Sequence, residues 1–218
     1  MRTGDSLPSD AELCEEFNVS RMTARQAVQL LVHEGLVHRA AGRGTFVADP
    51  PSHRQATNLI TFSAEMRRQG RAPSSRVMLA RKQPANAEQS RALGIHRGSR
   101  VVILHRLRLA DGESIAWEAT VLRLECERVL NADLAHGSLH RALCDLGYIP
   151  TEGRANIRAE RATAEDATLL DVAVGDALLV EARVITDQHG VPLEFTVSRY
   201  AGRRYQLDAA FTVEQDRQ

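Results

Sequence analysis

The apolar positions of the first fifty residues follow a helical period. Ala24, Ala27, Val28 and Leu31 recur at spacings of three and four, which gathers them into one buried stripe. Ser20 precedes the run as an N-cap whose hydroxyl accepts a backbone N–H, and Gly35 stops it as a C′ glycine. Arg21, Met22, Arg25 and Gln26 fall off the stripe and face outward. A shorter run opens on Ser9-Asp10-Ala11-Glu12, a capping box, buries Leu13 and Phe17, and ends at the tight turn Asn18-Val19. Leu36 to Arg39 and Gly44 to Val47 read as two short strands around an Ala-Ala-Gly-Arg tip. Two helices joined by a short turn and followed by a basic-tipped hairpin predict a winged helix-turn-helix. An ordinary helical pair with solvated arginines fits the same pattern.

The period changes after Asp49-Pro50-Pro51-Ser52-His53, where proline removes donors and restricts its neighbour. The predicted division is a domain over 1–49, a linker over 50–58 and a second domain over 59–218. In the second domain Val101, Ile103, Leu107 and Leu109 alternate with Val102, Leu104, Arg106 and Arg108. Asp111-Gly112 turns the chain, and Ile115, Trp117, Ala119 and Val121 alternate on the way back. Glu88 to Gly112 is repeated by Glu165 to His189, with Gly98 over Gly175 and Arg106 over Arg183. Each copy reads helix, glycine-initiated strand, turn, strand. Two such units predict one antiparallel sheet covered by helices, an α+β domain.

Composition narrows the function. The chain has 218 residues, 43% of them hydrophobic, enough for real cores, and a formal net charge of zero. Neutrality argues against a general nucleic-acid coat. The charge is segregated, however: Arg21, Arg25, Arg39 and Arg43 face only Glu34 between residues 20 and 45, a small basic face suited to sequence-specific DNA binding. Cys14, Cys126 and Cys144 lack C-x-x-C spacing, so no disulfide framework or zinc cluster is indicated; Cys14 and Cys144 are expected to be core thiols. No apolar run could span a bilayer and no signal peptide is evident, so a cytoplasmic protein without membrane partners, cofactor or metal is expected.

L-P-S-D at Leu7 to Asp10, V-S-R-M-T-A-R-Q-A at Val19 to Ala27, E-G-L-V at Glu34 to Val37 and G-R-G-T-F-V at Gly42 to Val47 resemble the DNA-binding domain of the GntR family of bacterial transcription regulators. The resemblance implies a homodimer on an inverted-repeat operator. It places Ser20, Arg21 and Arg25 in the major groove, where arginine can grip guanine bidentately, and Gly42 and Arg43 at the minor groove or backbone. Ser9, Met22, Thr23, Gln26, Gly44 and Thr45 complete the implied DNA face. Two departures stand out. Ala11 follows Asp10 where the family has an arginine, and only Met1 to Ser6 precedes the L-P-S segment, where the family has a further helix. The expected reader is therefore a winged helix lacking its first helix, with weaker operator binding than an N-terminally extended chain.

F-S-A-E-M-R-R-Q-G at Phe62 to Gly70, R-L-R-L-A-D-G at Arg106 to Gly112, G-S-L-H-R-A-L at Gly137 to Leu143 and P-L-E-F at Pro192 to Phe195 resemble the UTRA effector-binding domain of the HutC subfamily, which shares the fold of chorismate lyase. The residues themselves point to an anion. Ser63 and Ser138 each begin a predicted helix, whose N-terminus attracts negative charge. Arg106 and Arg108 lie on one strand face, so together these four outline a phosphate or carboxylate pocket; plain N-caps and a solvated arginine face are the alternative. The resemblance implies a small anionic metabolite such as a sugar phosphate, with Glu118, Glu194 and Tyr200 meeting the rest of it. A three-residue loop through Glu113 would set Arg106 opposite Glu118, whereas a two-residue turn would set it opposite Trp117; the pocket calls for the longer loop.

Other constellations carry less. His136 and His140 have the spacing of a helical metal pair, but a Ser138 cap would leave His136 outside the helix. His105 reads as a core histidine, and Arg199, Arg203 and Arg204 as a charged hairpin. The expected protein is a ligand-responsive transcription regulator, a repressor released by its effector. The rivals are a chorismate lyase-like enzyme, with Glu118 and Glu194 as an acid–base couple, and a metabolite-binding protein with impaired DNA binding.

Overall fold

Ser9 accepts the N–H of Glu12, and the Glu12 carboxylate accepts the N–H of Ser9 at 2.7 Å, so helix α1 (Asp10–Phe17) starts where the capping box predicts. It ends at Asn18, whose φ of 50° is the left-handed turn into α2 (Arg21–His33). The structure, a computed structural model, describes residues 4–33, 37–40, 44–47, 52–55 and 61–208 and divides into two units, Met1–Pro51 and Ser52–Gln218.

In the first unit the Ser20 hydroxyl accepts the N–H of Thr23 at 3.2 Å, as an N-cap should. Strands β1 (Val37–Ala40) and β2 (Gly44–Val47) form the antiparallel wing. The segment before α1 pairs on the other side of β2, through Leu7 N–H to Thr45 and Val47 N–H to Asp5. The expected caps at Gly35 and the wing-tip residues Gly42 and Arg43 lie outside the described residues, as does Leu36.

The predicted apolar stripe is narrower than expected. Ala24 and Val28 are buried, Leu31 is half-buried and Ala27 is exposed. At 3.6 residues per turn Ala27 lies about 100° from Val28, at the edge of the stripe. Leu13 is half-buried, no residue of α1 is buried, and Phe17 is 63% exposed, so it is not the core residue that its period suggested.

The second unit is built on a six-stranded sheet in the order β4-β5-β6-β9-β8-β7, every pair antiparallel. Its strands are β4 (Pro73–Pro84), β5 (Arg100–Ala110), β6 (Glu113–Arg123), β7 (Pro150–Arg161), β8 (Ala177–Asp187) and β9 (Pro192–Ala201). The internal repeat is realised as α4 (Ala87–Leu93) before the β5–β6 hairpin and α6 (Ala164–Leu170) before β8–β9. Each helix opens on a capping box, Asn86 with Gln89 and Thr163 with Asp166. Gly98 and Gly175, at φ of 83° and 89°, turn each chain into its strand. The halves meet at the central pair β6–β9. The predicted linker also holds regular structure: β3 (Ser52–Gln55) pairs in parallel with β10 (Tyr205–Asp208).

One sheet face is closed by α4 and α6. Leu93 packs with Val101, Ile103, Val121 and Phe195, and Leu170 packs with Leu107, Leu178 and Val180. The other face carries two separate apolar clusters. Val102, Leu104 and Leu122 lie under α5 (Leu139–Asp145) and the 3-10 segment Leu124–Asn131, through Leu139, Leu143, Cys126 and Val129. Ala110, Ala116 and Tyr200 lie under α3 (Phe62–Arg68) through Met66. Between them the registers align two polar rows: Arg106, Glu118, Ser198 and Glu181, then Thr120, Thr196 and Arg183. That uncovered polar strip is where a site can form.

Arg106 does pair with Glu118, but not through a longer loop. Ala110 pairs with Glu113 across the two-residue turn Asp111-Gly112, and a bulge between Arg108 and Leu109 skips Ile115. The extra residue sits in the strand rather than the loop, which shifts the register by one and puts Glu118 on the arginine face.

Candidate effector site and DNA-reading surface

The cleft in the polar strip gathers side chains from six elements. Arg106 and Arg108 come from β5, Glu118 from β6, Glu194 from β9 and Arg183 from β8, while Ser138, Leu139 and His140 at the start of α5 form a wall. Thr61 and Phe62 at the start of α3 close the opposite side. Ser138 caps α5, accepting the N–H of Arg141 at 3.4 Å. Thr61, not Ser63, caps α3, accepting the N–H of Ala64. Ser63 lies inside the helix, is buried, and turns its hydroxyl to Arg108 Nη2 at 3.2 Å. The threonine two residues earlier has the same capping chemistry, and it won the position.

The electrostatics are dominated by two buried arginines beside one carboxylate. Arg106 Nη2 donates to Glu118 Oε2 at 2.9 Å, and Arg108 Nε lies 3.7 Å from the same oxygen. The Arg108 guanidinium also stacks 4.5 Å over the Phe62 ring. Both arginines are buried, at 4% and 3% exposure, yet Nε and Nη1 of each have no hydrogen-bond partner. An unmade hydrogen bond from a buried charged donor costs about 1–3 kcal/mol or more, so these four nitrogens, on two residues that line one cleft, are a standing demand for acceptors. Burial draws the Arg108 guanidinium down to about 10 against the opposing pull of Glu118. Burial would raise the Glu118 carboxyl, but Arg108, Arg106 and Arg183 outweigh it and hold the group below the usual carboxylate range.

The other end of the cleft is organised by Glu194. His140 Nε2 lies 2.9 Å from Glu194 Oε2, and the Thr196 hydroxyl donates to Oε1 at 2.6 Å. Burial opposes ionisation of Glu194, but His140, Arg183 and Thr196 together hold its carboxyl down at about 2. Arg183 reaches in between two carboxylates, Nη1 at 3.8 Å from Glu181 and Nη2 at 3.8 Å from Glu194, and its buried Nε is unpartnered.

Six of the seven sequence-predicted effector residues are brought together here: Arg106, Arg108, Glu118, Ser138 and Glu194 line the cleft, and Ser63 backs Arg108. Tyr200 shares the sheet face but is not among the residues that line the cleft; it stacks on Tyr205 at a centroid distance of 4.0 Å, and its hydroxyl lies 3.5 Å from Glu181. His136 pairs with Asp133 while His140 pairs with Glu194, so the two do not form a metal pair; among the described residues no cluster suited to a metal occurs. Cys144 is exposed and Cys14 half-buried rather than core, because both lie on the outer sides of short helices; Cys126 is the buried thiol. Arg199 and Arg204 are not a solvated hairpin. Arg199 pairs with Glu160 and Asp166, and Arg204 pairs with Glu113 and donates to the carbonyls of Ser114, Leu170 and Asp171.

On the first unit Ser9, Ser20, Arg21, Met22, Thr23, Arg25, Gln26 and Gly44 are exposed and Thr45 is half-buried. Met22 is 68% exposed.

Residues 1–47 match the family model of bacterial regulatory proteins of the gntR family, and residues 68–206 match the UTRA domain. The chain belongs to the GntR family. It is a transcription regulator with a GntR DNA-binding domain and a UTRA effector-binding domain. It is 32% identical over 200 residues to the transcriptional repressor NagR of Bacillus subtilis, covering 91% of this chain and 82% of that protein. It is 31% identical to the histidine utilization repressor of Klebsiella aerogenes, covering 96% and 87%. The crystal structure of PhnF from Mycobacterium smegmatis superposes with a TM-score of 0.73 at 27% identity, covering 98% of this chain and 95% of that one.

Within this UTRA domain the cleft uses residues that sequence reasoning passed over. Arg183 had a signal: it is the repeat counterpart of Arg106, and its parity puts it on the same face. The spacing of His140 from His136 suggests only a metal pair, although His140 stands two residues after the Ser138 cap. Phe62 and Thr61 had no signal beyond their place next to Ser63.

Proposed function

We propose that this regulator is a dimeric repressor that leaves its inverted-repeat operator when a small anionic metabolite, such as a sugar phosphate, occupies the cleft between α3 and α5. The carrying observation is the set of unpartnered N–H groups on buried Arg106 and Arg108. A tetrahedral anion accepts hydrogen bonds in several directions at once, and a guanidinium offers a planar fork that suits it. Ser138 and the backbone N–H groups at the start of α5 add donors on the other wall. Glu194 and Glu118, ionised and acceptor-only, then suit the hydroxyls of the remainder of the ligand. On the DNA side, Arg21 and Arg25 read bases while Ser9, Ser20, Thr23 and Thr45 position the backbone, with Met22 and Gln26 beside them and Gly42, Arg43 and Gly44 on the wing.

Release requires the effector to bind two arrangements of the dimer with different affinity, one matched to the half-site spacing and one not. The NagR and PhnF relatives are named repressors, which supports this sign of regulation. The cleft reads as a binding site rather than a catalytic one. A general acid must hold a proton near neutral pH, and Glu118 and Glu194 are both held ionised. Among the described residues no helix is long and apolar enough to cross a membrane, in keeping with a regulator that meets DNA in the cytoplasm.

A thermal-shift screen of sugar phosphates beside their unphosphorylated parents tests the reading. Stabilisation by one or more phosphorylated members and none by the parents is expected; a parent sugar that stabilises as strongly as its phosphate would overturn the anion assignment.

A further inference from the structure

We infer that Glu118 is a selectivity filter: it lets the Arg106–Arg108 end of the cleft accept an anion only when the same ligand brings a hydrogen-bond donor, and refuses oxyanions that have none, of which sulfate is the simplest. The inference rests on the effector reading above and deepens it, from an anion to an anion with an O–H or N–H close to its charge.

Two buried arginines with unmade hydrogen bonds would, by themselves, take any oxyanion of suitable size. Glu118 changes that. Its side chain is buried and reaches both guanidiniums through one oxygen, Oε2, at 2.9 Å from Arg106 Nη2 and 3.7 Å from Arg108 Nε. An acceptor that satisfies Nε or Nη1 of Arg106 at ordinary hydrogen-bond length comes within about 4–8 Å of that oxygen. Two negative charges so placed, away from water, repel each other.

The rest of the cleft does not offset the repulsion. Arg183 is its third arginine and stands 3.8 Å from Glu181 and 3.8 Å from Glu194, so three guanidiniums face three buried carboxylates. His140, the remaining titratable residue of the lining, lies 2.9 Å from Glu194. A dianion without a donor would therefore enter a buried site whose arginines and carboxylates already balance, and its charge would go uncompensated.

A donor on the ligand reverses the sign. Ionised carboxylates only accept hydrogen bonds, and among the described residues Glu118 receives one at Oε2 alone. Glu194 has both oxygens taken, Oε2 by His140 and Oε1 by Thr196. Of the two carboxylates that line the cleft, Glu118 is thus the one with an oxygen to spare, and it stands beside the arginines. An O–H or N–H placed at Oε1 turns the repulsion into a charge-assisted hydrogen bond, while the anion of the same molecule satisfies Arg106 and Arg108. Sulfate carries no proton near neutral pH and can do only the second. Inorganic phosphate carries at least one and can do both. Rejection through an unmatched charge separates ligands that the attractive contacts alone would bind alike. A plain counter-ion, present only to neutralise the arginines, would look the same in the free protein; anion selectivity tells the two apart.

The probes are sodium sulfate and sodium phosphate against chloride at matched ionic strength, near neutral pH, read by calorimetry and melting of the full chain. The general stabilising effect of sulfate on folded proteins is common to parent and variants. Glu118→Gln keeps the shape and removes the charge. It is expected to bind sulfate at least about tenfold more tightly than the parent does, and to regain in sulfate the melting temperature that loss of the ion pair costs it in chloride. Glu118→Asp keeps the charge and is expected to refuse sulfate as the parent does. The parent is expected to favour phosphate over sulfate, and Glu118→Gln to lose that preference.

Measurable and equal binding of sulfate and phosphate by the parent overturns the filter. So does a Glu118→Gln chain that binds sulfate no better than the parent, or that is unfolded in chloride and not recovered by sulfate. Sulfate binding by Glu118→Asp as tight as by Glu118→Gln assigns the effect to shape and overturns it too. The effector reading is decided separately: a phosphate ester that stabilises the parent keeps it whatever sulfate does, whereas a parent stabilised by no phosphate ester removes the reading and the filter together.

Discussion

Arg106 Nη2 donates to Glu118 Oε2 at 2.9 Å while its buried Nε and Nη1 have no hydrogen-bond partner. The guanidinium is thus half neutralised and half available. Replacing it with alanine would strand the buried Glu118 charge and cost about 3–5 kcal/mol of stability, which confuses a binding test. Arg106→Lys keeps the charge but loses the planar fork. Its affinity for any phosphorylated metabolite that stabilises the parent chain is expected to fall at least about tenfold, about 1.4 kcal/mol, read by calorimetry at unchanged melting temperature of the free protein. Equal affinities would remove Arg106 from the site.

Glu194 ties acid stability to the cleft. Its carboxyl is held at about 2, below the ordinary 4.5, by His140, Arg183 and Thr196 against the burial that would raise it. A depressed folded value contributes stability that is fully present above about pH 4.5 and is lost as the pH falls toward 2. The contribution is on the order of 3 kcal/mol. Urea melts of the parent are expected to lose stability steeply through that window, and Glu194→Gln to flatten the slope. A parent and variant with parallel pH profiles would show that the pair carries no such linkage.

Asp166 joins the repeat helix to the sheet. It accepts Trp117 Nε1–H and Arg199 Nε–H, each at 2.8 Å, and the N–H of Thr163, and it is held at about 2 by those hydrogen bonds against burial. Asp166→Ala leaves a half-buried indole N–H and a guanidinium without their acceptor, and is expected to cost about 3 kcal/mol. That corresponds to roughly 6–12 °C in melting temperature for a chain of this size. Trp117 is the only tryptophan, so its fluorescence reports the loss directly. A melting point within a degree of the parent would contradict the assignment.

The thiols separate by burial. Burial pushes the Cys126 thiol up to about 12, helped by Glu125, while Cys144 is exposed. Since the thiolate is the reactive form, a disulfide-exchange reagent is expected to label Cys144 at once and Cys126 only after denaturation. Prompt labelling of Cys126 in the folded chain would mean that the cluster around Leu122 and Val129 opens.

Much of this was legible in the sequence, for reasons that differ by element. The capping boxes at Ser9 and the cap at Ser20 are local chemistry, and they form as read. The repeat foretold the sheet because helix, glycine and strand recur in the same order. The Arg106–Glu118 pairing was legible only as a functional requirement; its cause, the bulge that skips Ile115, leaves no mark in the alternation. The edge strands β4 and β7 went unread, since strands exposed along one side are not compelled to bury a continuous apolar face. Ser63 was misplaced as a cap because Thr61 competes for the same role. Phe17 and Ala27 show the limit of periodicity, which ranks positions by angle and says nothing of what lies opposite.

The coupling of cleft to operator is tested most directly by one titration: the fraction of operator DNA bound by the full chain, measured by mobility shift, as a phosphorylated metabolite that stabilises the protein is added. Release is expected at concentrations matching its affinity for the free protein, shifted at least about tenfold upward in Arg106→Lys. Operator binding that does not respond to any such ligand, or that responds identically in Arg106→Lys, would contradict a repressor governed by the anion site.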